Sequence, residues 1–336
     1  GGRAITMPRR AVLTPLPGGG YRLAPAQIGF ASGFTIIEGE VSGERTAIEA
    51  RLARMPLSLA DLAGAELGLG GRVSGVVNWV QIGASPPEGD ARVQIEGFTR
   101  SGLILSSRPV DVFAVANLSA RELAVGARLR EGDRQLGRVD GRVSAMPATG
   151  DPTARLMGGR LNASIGYDGP AQSLWRLAAI ETFDLTGPLT ANASITGTLA
   201  DPRITGDLAS DDLRLQSAIS GTDIDNVTAR GRFAGSRLEL TRFAGATSGG
   251  GTVTGSGFVD FASMSGSRGP GIDIRASVDK ARLLNANGLD ATITGPLRIV
   301  SSGVGGAIAG RVTVDRASWK LGVAAQDLRL PIIATR

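Results

Sequence analysis

The feature that most constrains this chain is a two-residue alternation of apolar and polar side chains that returns along most of its length. In DLTGPLTANASITGTLADPRITGDL (184–208), Leu189, Ala191, Ala193 and Ile195 share one parity and Thr190, Asn192, Ser194 and Thr196 the other. Successive side chains of a β-strand point to opposite faces, so this period predicts a strand with one apolar and one wet face. Gly197 and the pair Asp201 and Pro202 then break it. Proline has no amide for a ladder, and Asp before Pro favours a turn.

The same signature recurs elsewhere. Ile48, Ala50 and Leu52 oppose Glu49 and Arg51; Leu161, Ala163, Ile165 and Tyr167 oppose Asn162 and Ser164. Val227, Ala229 and Phe233 oppose Thr228, Arg230 and Arg232, and Ile272, Ile274, Ala276 and Val278 oppose Asp273, Arg275, Ser277 and Asp279. Leu289, Ala291, Ile293, Leu297 and Ile299 hold a single phase. Val312 and Val314 open another strand whose phase slips across Asp315 and Arg316 before Trp319 and Leu321, which predicts a bulge or tight turn.

Two segments leave the period. PLSLADLAGAELG (56–68) and AQSLWRLAAIETF (171–183) space Leu59, Leu62 and Ala63, then Leu174, Leu177 and Ala178, at helical intervals behind Ser58 and Ser173 as N-caps. Helical interruptions are expected near 57–66 and 172–181. DLTGPL (184–189) and TITGPL (292–297) echo each other, but no repeat of fixed length holds, which argues against a regular solenoid. The expected organisation over 1–336 is one continuous, elongated sheet.

Composition closes off several chemistries. Cysteine and histidine are both absent, which removes thiolate and imidazole zinc ligands, thiol catalysis and histidine-activated nucleophiles from this chain. The net charge of +5 rests on arginines scattered one per strand, with Lys280 and Lys320 the only lysines, and no basic patch is gathered for nucleic acid. No apolar run approaches the roughly 18 residues of a spanning helix, and GGRAITMPRR lacks the apolar core of a signal peptide. The chain reads as an internal piece of something longer.

Other motifs reduce to bland explanations. Asp223, Asp225 and Asn226 begin with calcium-loop spacing but lack the following Gly and distant Glu, so they read as a turn. Gly68 and Gly70 open a dinucleotide fingerprint that fails at Val73. Asp211 with Asp212, and Glu38 with Glu40, have the look of glycosidase carboxylate pairs, yet such pairs arise by chance among 31 acidic residues. Trp79, Trp175 and Trp319 are expected to pack in the interior or at a rim. No catalytic, cofactor or metal residue is assigned, and no enzyme activity is expected.

Apolar mass is thin for a solid sandwich: aromatics are 4% of the chain, 49 residues are Gly, and many inward positions are Ala or Val. A long sheet with one apolar face must still cover it. A second sheet, the same sheet curled on itself, and a non-protein hydrophobe all satisfy that requirement.

Several stretches in order resemble the translocation and assembly module TamB family, within the AsmA-like group: SLWRLAAIETFDLTGPL (173–189), GTLADPRITGDL (197–208), GGGTVTGSGFVDF (249–261) and IRASVDKARLLNANGLDATITGPLRI (274–299). The resemblance runs from about Gly150 to the end; MPLSLADLAGAELGLGGRVSG (55–75) matches the family's habit of a short helix before a Gly-bounded strand. It implies a periplasmic protein held in the inner membrane by an N-terminal anchor outside this chain. Its sheet would curl into an apolar trough that carries phospholipid, and it would meet the outer-membrane barrel TamA through parts also outside the chain.

The expected fold class is therefore all-β: an elongated, curled β-sheet, a half-pipe or β-taco groove, with two short helical insertions. The groove lining would be the apolar parity named above, from Ile48, Ala50 and Leu52 through Val312 and Val314. A structural, adhesin-like β-solenoid without bound lipid is the alternative.

Overall fold

The computed structural model describes residues 5–59, 68–100, 108–177, 183–217, 220–262, 269–286 and 288–320. In chain order the elements are β1 (Ile5–Thr6), β2 (Leu13–Pro15), β3 (Tyr21–Phe30), β4 (Gly33–Val41), β5 (Arg45–Pro56), β6 (Leu69–Ile82), β7 (Glu88–Arg100), β8 (Val110–Leu118), β9 (Leu123–Glu131), β10 (Arg134–Ser144), α1 (Pro152–Gly158), β11 (Arg160–Pro170) and α2 (Ala171–Leu177). They continue with β12 (Asp184–Thr186), β13 (Pro188–Thr198), β14 (Pro202–Gln216), β15 (Asp223–Gly235), β16 (Arg237–Thr247), β17 (Thr252–Asp260), β18 (Gly271–Ala286), β19 (Leu289–Ser301), β20 (Gly306–Gly310) and β21 (Thr313–Trp319). The fold is an open antiparallel sheet of 21 strands with two short helices.

The chain divides into two compact units. The first comprises Gly1–Gly169, Arg176–Glu181 and Thr190–Gly206; the second comprises Pro170–Trp175, Thr182–Leu189 and Asp207–Arg336. The first is a meander in which β3 to β11 each pair antiparallel with the next strand, and β13 follows on β11. Tight turns make that order local. Between β9 and β10 only Gly132 and Asp133 intervene, and Gly132 takes a φ of 58°, which the two-residue hairpin demands and glycine alone meets without strain. In the second unit β15 to β19 form a meander, and both β20 and β21 pair with β19. On that edge Thr292 pairs with Arg316 and Ile293 with Val314, so Asp315 is the extra residue of a bulge, where the sequence phase slips.

One helix lies where expected and the other does not. α1 is not heralded by apolar spacing; it starts because the Asp151 carboxylate accepts from the amides of Thr153 (2.9 Å) and Ala154 (3.0 Å) while Pro152 fills the first helical position. α2 begins at Ala171, two residues before the expected cap, so Ser173 lies inside its first turn and is fully buried. Of the expected helix near 57–66, Leu57 to Leu59 make a single 3₁₀ turn; residues 60–67, like 178–182, lie outside the described residues.

Candidate functional site: the apolar faces

Residues directly opposite on antiparallel strands share a face of the sheet. Following the register across the first unit therefore shows which side chains lie together. Ala50, Val77, Ala91, Ala116, Val125, Gly141 and Ala163 form one row across seven strands. Ile48, Trp79, Gly89, Leu118, Leu123, Val143 and Leu161 form the row on one side of it, and Leu52, Gly75, Val93, Ala114, Ala127, Val139 and Ile165 the row on the other. The expected positions on β5 and β11 thus lie on one continuous apolar face, although 113 residues of sequence separate Ala50 from Ala163.

The second unit repeats the pattern. One row runs Ala229, Phe243, Gly255, Ala276, Leu297 and Gly310, and beside it run Leu240, Gly257, Ile274, Ile299 and Ile308. Val278 lies between Val253 and Gly295, and Ala281 opposite Ile293. β13 keeps the alternation expected for it: Leu189 is buried, Ala191, Ala193 and Ile195 are half-buried, and Thr190, Asn192, Ser194 and Thr196 are exposed.

These faces are only partly covered. Ile48 is 43% exposed, Val125 37%, and Val77 and Val139 36% each, more than a second layer of protein over them would leave. Two patches are closed. Val143, Met146, Leu161 and Ala163 cluster in the first unit, with Leu156 and Ile195 against them; Val253, Ala276, Val278 and Ala281 cluster in the second, with Phe243, Ile293 and Leu297 against them. Val227 and Ala229 are also buried.

Glycine on these faces serves packing between neighbouring strands. A Cβ on Gly255 would lie 2.5 Å from the Phe243 ring and 2.4 Å from the Arg275 carbonyl, so the ring rests on bare backbone. Gly137 similarly lies beside Tyr167, its row partner. Large side chains are accommodated by their neighbours' lack of one.

Two expectations change at the last strands. Val312 lies between β20 and β21 and not in a strand. Val314, of the apolar parity expected to line a groove, is 57% exposed, and Trp319, opposite Leu289, is 69% exposed instead of packed, because β21 is an edge strand with no neighbour beyond it among the described residues. Leu321 lies outside the described residues. Conversely, β7 and β9 alternate as cleanly as the strands singled out in the sequence: Ala91, Val93 and Ile95 against Arg92, Gln94 and Glu96, and Val125, Ala127 and Leu129 against Gly126, Arg128 and Arg130. The same period test would have found them.

The opposite faces are wet and ion-paired. A row of Glu49, Asn78, Asp90, Asn117, Ala124, Arg142 and Asn162 backs the first unit. Three of the four carboxylates considered for catalysis are held by arginine: Glu40 by Arg22 (3.0 Å), Glu38 by Arg51 (3.6 Å) and Asp211 by Arg230 (2.5 Å). Asp223 is bound through both oxygens by Arg214 (2.8 and 2.6 Å), and Arg298 grips Asp273 in the same way (2.9 and 2.7 Å). Those hydrogen bonds hold both carboxyls below their usual range, and Asp260 is lowered first by the amide of Ala262 and then by Arg237.

All three carboxylates belong to the second unit, and their folded pKa values lie below the ordinary 3.8. The stability they add is present above that value and is lost as pH falls through the folded ones. Calorimetry is expected to show a melting temperature that declines below about pH 4; an unchanged value down to about pH 2 would contradict these pairings.

Residues 241–329 match a family model described as the TamB C-terminal domain. Through this stretch the chain is similar to the TamB family. That family is one of envelope-associated transport and assembly. The TamB-matching stretch starts within β16 and takes in β17 to β21, so it carries Phe243, Val253, Val278 and Leu297 of the second unit's apolar face. Comparison with curated proteins and with solved structures found no match. Among the described residues no helix is long and apolar enough to cross a membrane, and no group of His, Cys, Asp and Glu is arranged to hold a metal ion.

Proposed function

We propose that this chain is a segment of a bridge-like lipid-transport and outer-membrane assembly protein of the Gram-negative periplasm, with acyl chains of phospholipid shielded along its apolar faces. The observation that carries the reading is the combination of unbroken apolar rows with side chains left more than a third exposed along them. Such a surface in water needs an apolar occupant. Each methylene taken from water stabilises a bound lipid by about 0.8 kcal/mol, so a sixteen-carbon tail is held by on the order of 10 kcal/mol before entropic costs.

Transport also needs the absence of a deep well. The lane of Ala50, Val77, Ala91, Ala116, Val125, Gly141 and Ala163 presents no side chain larger than valine at any strand. No reacting group is required. The barrel TamA and the inner membrane would be engaged by parts of the full protein outside this chain.

Mass spectrometry of the purified protein under native conditions, with organic extraction of the same sample, is expected to find phospholipid bound. Protein that is folded, lipid-free and unable to take up phospholipid from vesicles would overturn the reading and favour a structural, adhesin-like role.

A further inference from the structure

The connection from β10 to β11 is unlike the other described turns at its rim of the first unit. Residues 42–44, 83–87 and 119–122 cross that rim in a few residues each, whereas 145–159 carries α1 and turns back over the apolar face. Met146, 2% exposed, and Leu156 sit on Val143 and Leu161, in the row that continues through Leu118 and Leu123. Elsewhere the same face is half open.

Polar contacts latch the segment down. The Met146 amide donates to the Arg121 carbonyl (3.1 Å), and Arg155 donates to the carbonyls of Pro147 (2.7 Å) and Ala120. Arg155 is only 4% exposed, and both its acceptors are neutral. A buried guanidinium held, among the described residues, by carbonyls alone is a costly latch, since the charge gives up water without gaining a carboxylate. It is also a local one, because every contact lies within the segment or on the β8–β9 turn. Below it, a Cβ on Gly159 would lie 2.4 Å from Val143 Cγ1 and 3.0 Å from Met146 Cγ, so the strap lies flat only over a glycine.

We propose that residues 145–159 are a strap that occupies an acyl-chain subsite of the first unit's apolar face and competes with lipid for it. Met146 and Leu156 take the place of lipid methylenes over Val143 and Leu161, so lipid enters that part of the face by lifting the strap. The inference rests on the lipid-shielding reading above.

The chain has no cysteine, so a single Leu156→Cys reports on the strap by its rate of alkylation with a water-soluble maleimide. Loading with vesicles of phosphatidylethanolamine and phosphatidylglycerol is expected to speed alkylation. Adding Arg155→Ala is expected to speed it about tenfold or more without lipid, and Arg155→Ala alone to raise the phospholipid bound per chain. Gly159→Ala lifts the same strap from beneath with the guanidinium intact, and is expected to act in the same direction.

If alkylation speeds up in the variants but phospholipid uptake stays at the parent's level, the strap is only a structural cap and the proposal fails. Unfolding of both variants by circular dichroism would likewise make the segment an obligatory part of the core. Absence of uptake by the parent and both variants would overturn the lipid-shielding reading together with the strap.

Discussion

Val278→Asp is expected to unfold the second unit at ambient temperature. Val278 is 2% exposed, lies between Val253 and Gly295 in register, and belongs to the closed cluster with Ala276 and Ala281, which are 9% and 0% exposed. A carboxylate there meets only apolar side chains, because the arginines of β18 and β19 sit on the other face: Arg275 opposes Arg298, and Arg282 reaches Asp290. An unpaired buried charge costs several kcal/mol, against a typical total stability of about 5–15 kcal/mol. Ser277→Asp, one residue away on the wet face, is expected to change stability by no more than about 0.5 kcal/mol. Thermal unfolding by circular dichroism separates the two. A Val278→Asp protein that melts with the parent would mean that this patch is not packed.

Strands are legible in the sequence wherever one face is apolar and the other wet, as at β11, β13, β15 and β18. Lateral order is less so. That Ala50 and Ala163 lie in one row depends on six intervening registers, each set by a turn or bulge, and a two-residue period within a strand says nothing about its neighbour's offset. Two of the bulges sit at Arg54 (φ 50°) and Lys280 (φ 45°), left-handed positions that no residue-type signal marks. The Asp–Pro pair reads as a turn at 201–202, where it does break a strand pattern; at 151–152 the same pair caps and starts α1. What distinguishes the two is the sequence that follows: TARLMG, which lacks alternation, against RITGDL, which alternates. Glycine is legible as a scarcity of side chains, but not as the counterpart of a large neighbour, because Phe243 and Gly255 meet only across strands.

Ile274→Arg is expected to leave the second unit folded while removing most of its bound phospholipid. Ile274 lies between Gly257 and Ile299 and is half-buried, outside the closed cluster. An arginine stem lies along apolar surface while its head reaches water, so the substitution avoids the full cost of burying a charge. The cation would nevertheless stand across a row that continues through Ile299 to Ile308, and an acyl chain passing it would have to desolvate it. Ile293→Arg should behave differently, because Ile293 packs against the closed cluster and opposes Ala281, and it is expected to destabilise the fold as Val278→Asp does. Thr254→Arg is the control: it faces Ala244 and Ser277 on the wet side, whereas Thr292, between Arg282 and Arg316, would add a third positive charge to a basic row. Bound phospholipid per chain and melting temperature are measured together for each variant. Should Ile274→Arg keep the parent's lipid content, the row through Ile274 and Ile299 is not the path of acyl chains; should it unfold as Val278→Asp does, that row is closed protein core and the open face of the second unit is confined to β20 and β21.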